Sequence, residues 1–221
     1  MKPKVICIVG ETGSGKDTLV NNAIKKSFYE LRKVCSYTDR PMRKGETDGV
    51  EHYFITTEEF NKLKEERNDD ILAYTHIKDE SQKNYTGYQY MALTDELKKS
   101  HIYIIDYEGL KFLKEKYDNK IYIVTVYIYA SFFTRLKRAK ASRSDFKKEF
   151  RKRVRAEKAQ FKEFKKLKLY DYKIENGNGK LDNASDQLCE IFWDEFHYDL
   201  SVSNPPYLNH LRYMKHQKTN S

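Results

Sequence analysis

The chain has 221 residues, 39% of them hydrophobic and 34% charged, with a formal net charge of +9. This length suits one well-cored domain carrying an inserted or flanking subregion, and the composition excludes a disordered chain. No run of 18 apolar residues occurs, so no membrane-spanning helix is expected, and the glycine-rich segment starts too early to leave room for a signal peptide.

The positive charge is unevenly placed. Residues 135 to 168 hold 16 Lys or Arg against 4 Asp or Glu, a surplus of 12 that exceeds that of the whole chain, so the remainder is slightly acidic. Such a stretch can meet a polyphosphate or a nucleic-acid backbone, or it can be a solvated helix face. For most of its lysines the solvated face is the favoured reading. The three cysteines, at positions 7, 35 and 189, are odd in number and widely spaced. They read as free thiols in a reducing compartment, and a cytoplasmic location is expected.

In chain order, Val5-Ile6-Cys7-Ile8-Val9 is a short apolar strand followed at once by glycines. Thr18 to Lys26 reads as a helix with Leu19, Ala23 and Ile24 inward. Tyr29 to Val34 leads into a polar segment, Cys35 to Gly49. Tyr53-Phe54-Ile55 is a short strand, and Thr57-Glu58-Glu59-Phe60 fits an N-cap followed by a helix running to about Arg67. Ile71 to Ile77 is strand-like, Lys78 to Lys83 a turn or loop, and Met91 to Lys99 a modest helix. His101 to Ile105 and Ile121 to Ile128 are buried strands flanking a helix at Tyr107 to Tyr117. Phe132 to Lys168 is mostly helical with a break near 141 to 144. Tyr172 to Glu175 is a last strand and Leu181 to Trp193 a last helix. Apolar runs alternating with helices predict an α/β fold, a parallel sheet covered on both faces, with a smaller mixed subregion inserted between 35 and 90. The tail from His197 is expected either to be poorly ordered or to pack on the domain or a partner.

Gly10-Glu11-Thr12-Gly13-Ser14-Gly15-Lys16 matches the first seven positions of a P-loop, between a strand and a helix as the motif requires. Glycines let backbone N–H groups wrap phosphate oxygens, and the helix N-terminus adds open N–H groups and a favourable dipole. Gly10, Thr12, Gly13, Ser14, Gly15, Lys16, Asp17 and Thr18 are the candidate ATP-binding residues, with Lys16 reaching the terminal phosphates. The motif asks for Ser or Thr after the lysine to hold Mg²⁺, yet that position is Asp17, with Thr18 one residue later. Asp17 either ligates Mg²⁺, directly or through water, or repels the phosphates.

Further on, Ser36-Tyr37-Thr38-Asp39-Arg40-Pro41-Met42-Arg43-Lys44-Gly45-Glu46, then Asp48-Gly49 and Tyr53-Phe54, resembles the guanylate kinases. The match continues weakly through Asp106, Gly109, Arg135, Arg153 and Asn176 and covers roughly residues 4 to 195. The resemblance implies a P-loop fold with a monophosphate-binding region at 35–95 and a lid at 132–160. It implies transfer of the γ-phosphoryl of ATP to GMP or dGMP, with Mg²⁺. By that resemblance Ser36, Arg40, Arg43 and Tyr53 hold the acceptor phosphate, and Lys16, Arg40, Arg135 and Arg153 serve catalysis. Arg138 competes with Arg135, and Arg143 is also plausible. Asp106 is an acceptor-side or Mg²⁺-water contact, or simply a helix cap. Asn176 sits near the donor adenine or in an ordinary turn.

Independently of the family, two arginines three apart with a hydroxyl and a phenol can make many charge-assisted bonds to a dianionic phosphate. The resemblance weakens at the base. The family's guanine-reading glutamate falls at Ala73, and the hydroxyl and phenol near Thr86 and Tyr88 have traded places, with His76, Asp79 or Glu80 as compensating candidates. The acceptor is therefore expected to be GMP, dGMP or a related, deoxy or modified, monophosphate. Rival readings are a catalytically weak binding module and a nucleic-acid-binding protein. The chain carries no zinc-finger spacing, no RNA-binding aromatic signature and no His/Cys metal grouping. Monomer and homodimer stay open.

Overall fold

The computed structural model describes residues 2–27, 30–43, 45–77, 87–142 and 146–196. Among the described residues, eight strands and six α-helices follow one another as β1 (Lys4–Val9), α1 (Lys16–Lys26), β2 (Ser36–Thr38), β3 (His52–Phe54), α2 (Thr57–Glu66), β4 (Ile71–Ile77), β5 (Tyr88–Leu93), β6 (Ile102–Ile104), α3 (Tyr107–Tyr117), β7 (Tyr122–Tyr129), α4 (Phe132–Ser142), α5 (Phe146–Lys166), β8 (Tyr172–Glu175) and α6 (Leu181–Phe196).

Four strands, in the order β6-β1-β7-β8, form an all-parallel sheet. The alternation of β1 explains how it is covered. Val5, Cys7 and Val9 enter one apolar cluster with Leu110 and Leu113 of α3 and Phe161 and Phe164 of α5. Ile6 and Ile8 enter the opposite cluster with Leu19 and Val20 of α1 and Leu188 and Phe192 of α6. Successive side chains of a strand point to opposite faces, so one unbroken apolar run serves two cores.

The second sheet has the order β3-β2-β5-β4 and is mixed: β2 and β3 are parallel, while β5 is antiparallel to both β2 and β4. Its core is Phe60 of α2 against Ile71, Met91 and Leu93. Leu72, Ala73 and Ala92 reach instead into the α3 side of the main core.

Local signals set most helix ends. Thr56, rather than Thr57, caps α2, and with Glu59 it forms a reciprocal capping box. The Asp106 carboxylate accepts from the Gly109 N–H and caps α3. The helix expected over 91–99 is not there: Tyr88–Leu93 is a strand between β2 and β4, and only Thr94–Lys98 turns, as a 3₁₀ segment. Met and Ala are good helix formers, but propensity is a weak bias, and pairing with β4 along the segment and with β2 at Tyr90 and Met91 wins. The three cysteines are free and buried. Among the described residues no helix is long and apolar enough to cross a membrane. The 78–83 loop, Thr86, Arg143 and the tail from 197 lie outside the described residues.

Candidate active site

The glycine loop leaves β1 at the end where β7 runs alongside. A Cβ on Gly10 would lie 2.5 Å from the Ile128 carbonyl oxygen, so no larger residue fits without moving the sheet. Gly13 and Gly15 take φ of +81° and +82°, the left-handed region that side-chain-bearing residues resist. The Ser14 N–H closes a turn onto the Glu11 carbonyl at 3.0 Å. Lys16 Nζ folds back onto the Gly10 carbonyl, and Asp17 and Thr18 are exposed on the first turn of α1.

The loop is held from four other elements. From α4, Arg135 Nη1 donates to the Thr12 carbonyl at 3.1 Å, and its Nη2 to Glu11 Oε1 at 3.2 Å. Arg138, also on α4, donates to the Ser14 carbonyl at 2.9 Å and to the Gly177 carbonyl at 3.0 Å. Burial holds its guanidinium below the ordinary arginine range. Past the end of β8, Asn176 is buried and donates through Nδ2 to the same Ser14 carbonyl at 2.9 Å. Tyr127 of β7 donates to Glu11. From α5, both oxygens of Glu157 grip Thr12, accepting from its N–H at 2.8 Å and from its hydroxyl at 2.5 Å. Ser14 Oγ and Arg135 Nε are buried here without a hydrogen-bond partner.

Arg135 and Arg138, competitors in the sequence, thus both reach the loop. Asn176 buttresses the loop backbone from behind. Arg153 stands half-buried on α5. Glu157 and Glu11 carry no motif signal, and only the packing of α5 and α4 reveals them.

The second sheet presents the other half of the site. Arg40 is buried, with its two terminal nitrogens 2.9 Å from the two oxygens of Glu46 and its Nε donating to the Tyr90 hydroxyl at 3.1 Å. Glu46 also accepts from the Arg43 N–H at 2.7 Å, so it shapes the turn that carries both arginines. Burial works to raise the Glu46 carboxyl, and the bonds from Arg40 and Arg43 outweigh it and hold it below the usual range. Ser36 is buried, with its hydroxyl 2.8 Å from His52 Nδ1. Arg43 is exposed at the edge of the turn.

Tyr53 does not join this group. In the register of β2 and β3, Tyr53 is opposite Tyr37, and the two rings pack with centroids 4.8 Å apart. Side chains alternate across a strand, so Tyr53 faces away from Ser36 and Arg40, and His52 faces them. The resemblance implies Tyr53 at the acceptor phosphate, but its register opposite Tyr37 puts it on the other face of the sheet, and the neighbouring residue His52 takes the face of Ser36. Tyr88 starts β5, half-buried and opposite Ile77.

Ala73 is buried opposite Ala92 within the apolar core. Two residues along, the Thr75 hydroxyl donates to Asp106 Oδ1 at 2.9 Å. Asp106 is solvent-exposed at the start of α3. Burial pushes its carboxyl above the ordinary range, while the Gly109 N–H, the Thr75 hydroxyl and the charge of Lys16 oppose that; contact with water damps the push. Its helix-capping role is therefore real.

Asp106, on which Lys16 acts electrostatically, accepts from Thr75 of β4, and Asp17 acts electrostatically on His52 of β3. The glycine loop thus borders the second sheet on the side that carries His52 and Thr75, and the two bound one candidate site. Its donors suit phosphate: a positive-φ glycine loop, a lysine, and arginines from both sides. Among the described residues, no group of three or more His, Cys, Asp or Glu is placed to hold a metal ion. Asp17 and Asp106 are single carboxylates, which suits a Mg²⁺ ion that keeps most of its shell as phosphate oxygens and water.

The chain matches the guanylate kinase family model over residues 2–195 and belongs to that family. It is therefore a member of the nucleoside monophosphate kinases, phosphotransferases for which ATP with a divalent cation is a general family property. It is 27% identical over 194 residues to a guanylate kinase of Malacoplasma penetrans (strain HF-2), covering 88% of this chain and 94% of that one. With a guanylate kinase of Campylobacter jejuni (strain RM1221) it shares 30% identity over 179 residues, 80% of this chain and 82% of that one. In fold it is similar to the crystal structure of guanylate kinase from Anaplasma phagocytophilum, with a TM-score of 0.58 at 23% identity, covering 88% and 87% of the two chains.

Proposed function

We propose that this protein transfers the γ-phosphoryl of ATP to GMP, dGMP or a related deoxy or modified nucleoside monophosphate. The observation that carries the reading is the pairing, around one candidate site, of the Gly10–Thr18 loop with the Ser36–Arg40–Glu46 group. In this reading the loop N–H groups and Lys16 hold the donor phosphates. Ser36, Arg40 and Arg43 hold the acceptor phosphate. Arg135, Arg138 and Arg153 set positive charge beside the transferring group, where it favours the transition state. Arg40 is already engaged by Glu46, so its orientation is fixed before the acceptor arrives, which reduces the ordering cost. A divalent cation would be held at Asp17 and, through water, at Asp106. Thr86 is assigned to the acceptor by the resemblance alone.

Base selectivity is the less constrained part. A guanine edge offers N–H donors, and a pocket reads them with buried acceptors. Position 73 offers none, and Asp106, bonded to Thr75, is a carboxylate near that position. A binding module without turnover is the second reading, favoured by Asp17 at the position that normally supplies a metal-holding hydroxyl.

The test is ADP formation from ATP and Mg²⁺ against a panel of ribo- and deoxynucleoside monophosphates, with a no-acceptor control. Selective turnover of GMP or dGMP supports the reading and means that Ala73 is compensated elsewhere in the pocket. Turnover of another monophosphate keeps the clamp and rejects the guanine assignment. No acceptor-dependent ADP rejects catalysis and moves the reading to the binding module.

A further inference from the structure

We infer that His52 belongs to the acceptor-phosphate clamp, and that its ring takes up a proton when a nucleoside monophosphate binds. The inference rests on the reading that Ser36 and Arg40 hold the acceptor phosphate.

The placement comes from strand register. In the parallel pair of β2 and β3, Ser36 is opposite His52 and Thr38 is opposite Phe54, so these four share a face. His52 Nδ1 lies 2.8 Å from the Ser36 hydroxyl. The His52 ring meets Tyr90 edge-on at 5.5 Å and Phe54 at 5.7 Å. Arg40 uses the same two neighbours, donating to the Tyr90 hydroxyl and lying 5.3 Å over the Phe54 ring. His52 and Arg40 are thus two cationic-capable heads fixed on one aromatic platform. Among the described residues, His52 Nε2 has no hydrogen-bond partner, so the ring keeps one nitrogen for a ligand.

The charged and titratable groups around the ring come from four elements. Arg40 and Glu46 stand on the turn after β2, Tyr90 on β5, Ser36 on β2, and Asp17 on α1. Burial, then the Arg40 charge, hold the imidazole below its ordinary range, against the opposing pull of Glu46 and Asp17. With these groups alone around it, the ring is therefore neutral at neutral pH.

An arriving dianionic phosphate reverses that balance, because an opposite charge nearby favours the protonated form. With both nitrogens protonated, Nδ1–H donates to Ser36 and Nε2–H to a phosphate oxygen as a charge-assisted bond. The proton comes from solvent, and no covalent bond changes. Histidine is the one group in this clamp whose charge changes near neutral pH.

The experiment is calorimetric binding of GMP, or of whichever monophosphate the acceptor panel selects, at pH 7.0 to 8.0 in two buffers of different ionisation enthalpy. Free monophosphate is mostly dianionic there, its second pKa being about 6, so selection of the dianion by itself releases protons. Net proton uptake by the wild type is expected. Affinity should strengthen as pH falls from 8 to 7, by at most about tenfold, the limit for one proton. In His52→Gln the uptake should vanish, leaving only the small proton release of the phosphate and no strengthening as pH falls, while thermal melting verifies folding; His52→Asn replaces it if the glutamine variant does not fold. Wild-type binding without uptake, or uptake that survives in the variant, overturns the inference alone. Failure of every monophosphate to bind overturns the reading of Ser36 and Arg40 and this inference with it.

Discussion

Removing the Glu157 carboxylate should loosen the phosphate loop by a calculable amount. Glu157 accepts two hydrogen bonds from Thr12, one from the backbone and one from the hydroxyl, and Thr12 is only 8% exposed. A hydrogen bond to a charged group contributes about 1.5–3 kcal/mol net, and an orphaned buried donor costs a similar amount. Glu157 itself is half-buried, so the sum is discounted for solvent, and Glu157→Ala should cost about 2–4 kcal/mol. Glu157→Gln keeps an acceptor for the Thr12 N–H and can donate to the hydroxyl, so it should cost about 1 kcal/mol. Urea unfolding monitored by circular dichroism reads the difference: with a slope of about 2 kcal/mol/M, the alanine variant should melt about 1–2 M earlier than wild type. An alanine variant within about 0.5 kcal/mol of wild type, the usual scatter for inert surface changes, would refute the claim that α5 braces the loop through this residue.

Other consequences follow from the same geometry. Gly15→Ala places a Cβ at φ +82° and 2.8 Å from Asn176 Nδ2. The left-handed strain alone is about 1–2 kcal/mol and is present with or without nucleotide, so urea unfolding should show a stability loss of about that size; an unchanged midpoint would show that the loop does not need this conformation. Burial pushes the Cys7 thiol up to about 12 and those of Cys35 and Cys189 up to about 11. Native protein at pH 8 should resist alkylation at all three, and denatured protein should react at all three. His52 and His101 are both held below their ordinary range, first by burial, so the unfolded chain binds more protons near pH 6. Their contribution to stability is present above about pH 6.5 and is lost as pH falls through their folded values. Tm should therefore drop between pH 7 and 5, less steeply in a His52→Gln/His101→Gln double variant; equal slopes would reject the assignment.

What the sequence alone determined is what is encoded within a short stretch of chain. The run Val5–Val9 has only one economical use, a strand buried on both faces. The glycines that follow it are spaced for a turn that needs no distant partner, so the phosphate loop was legible as a unit. The cap at Asp106 and the helix it begins are local in the same sense.

The tertiary structure decided what depends on partners far apart in sequence. Residues 91–93 became strand because β4 pairs along all three and β2 pairs with Met91 from the other side. His52 rather than Tyr53 turned toward Arg40 because a one-residue change of register exchanges the two faces of a strand. Glu157 came to Thr12, and Arg135, Arg138 and Asn176 to the loop backbone, only when α4, α5 and β8 closed over it. Side-chain direction and long-range pairing are collective properties of the packed chain, so no pattern within one segment records them.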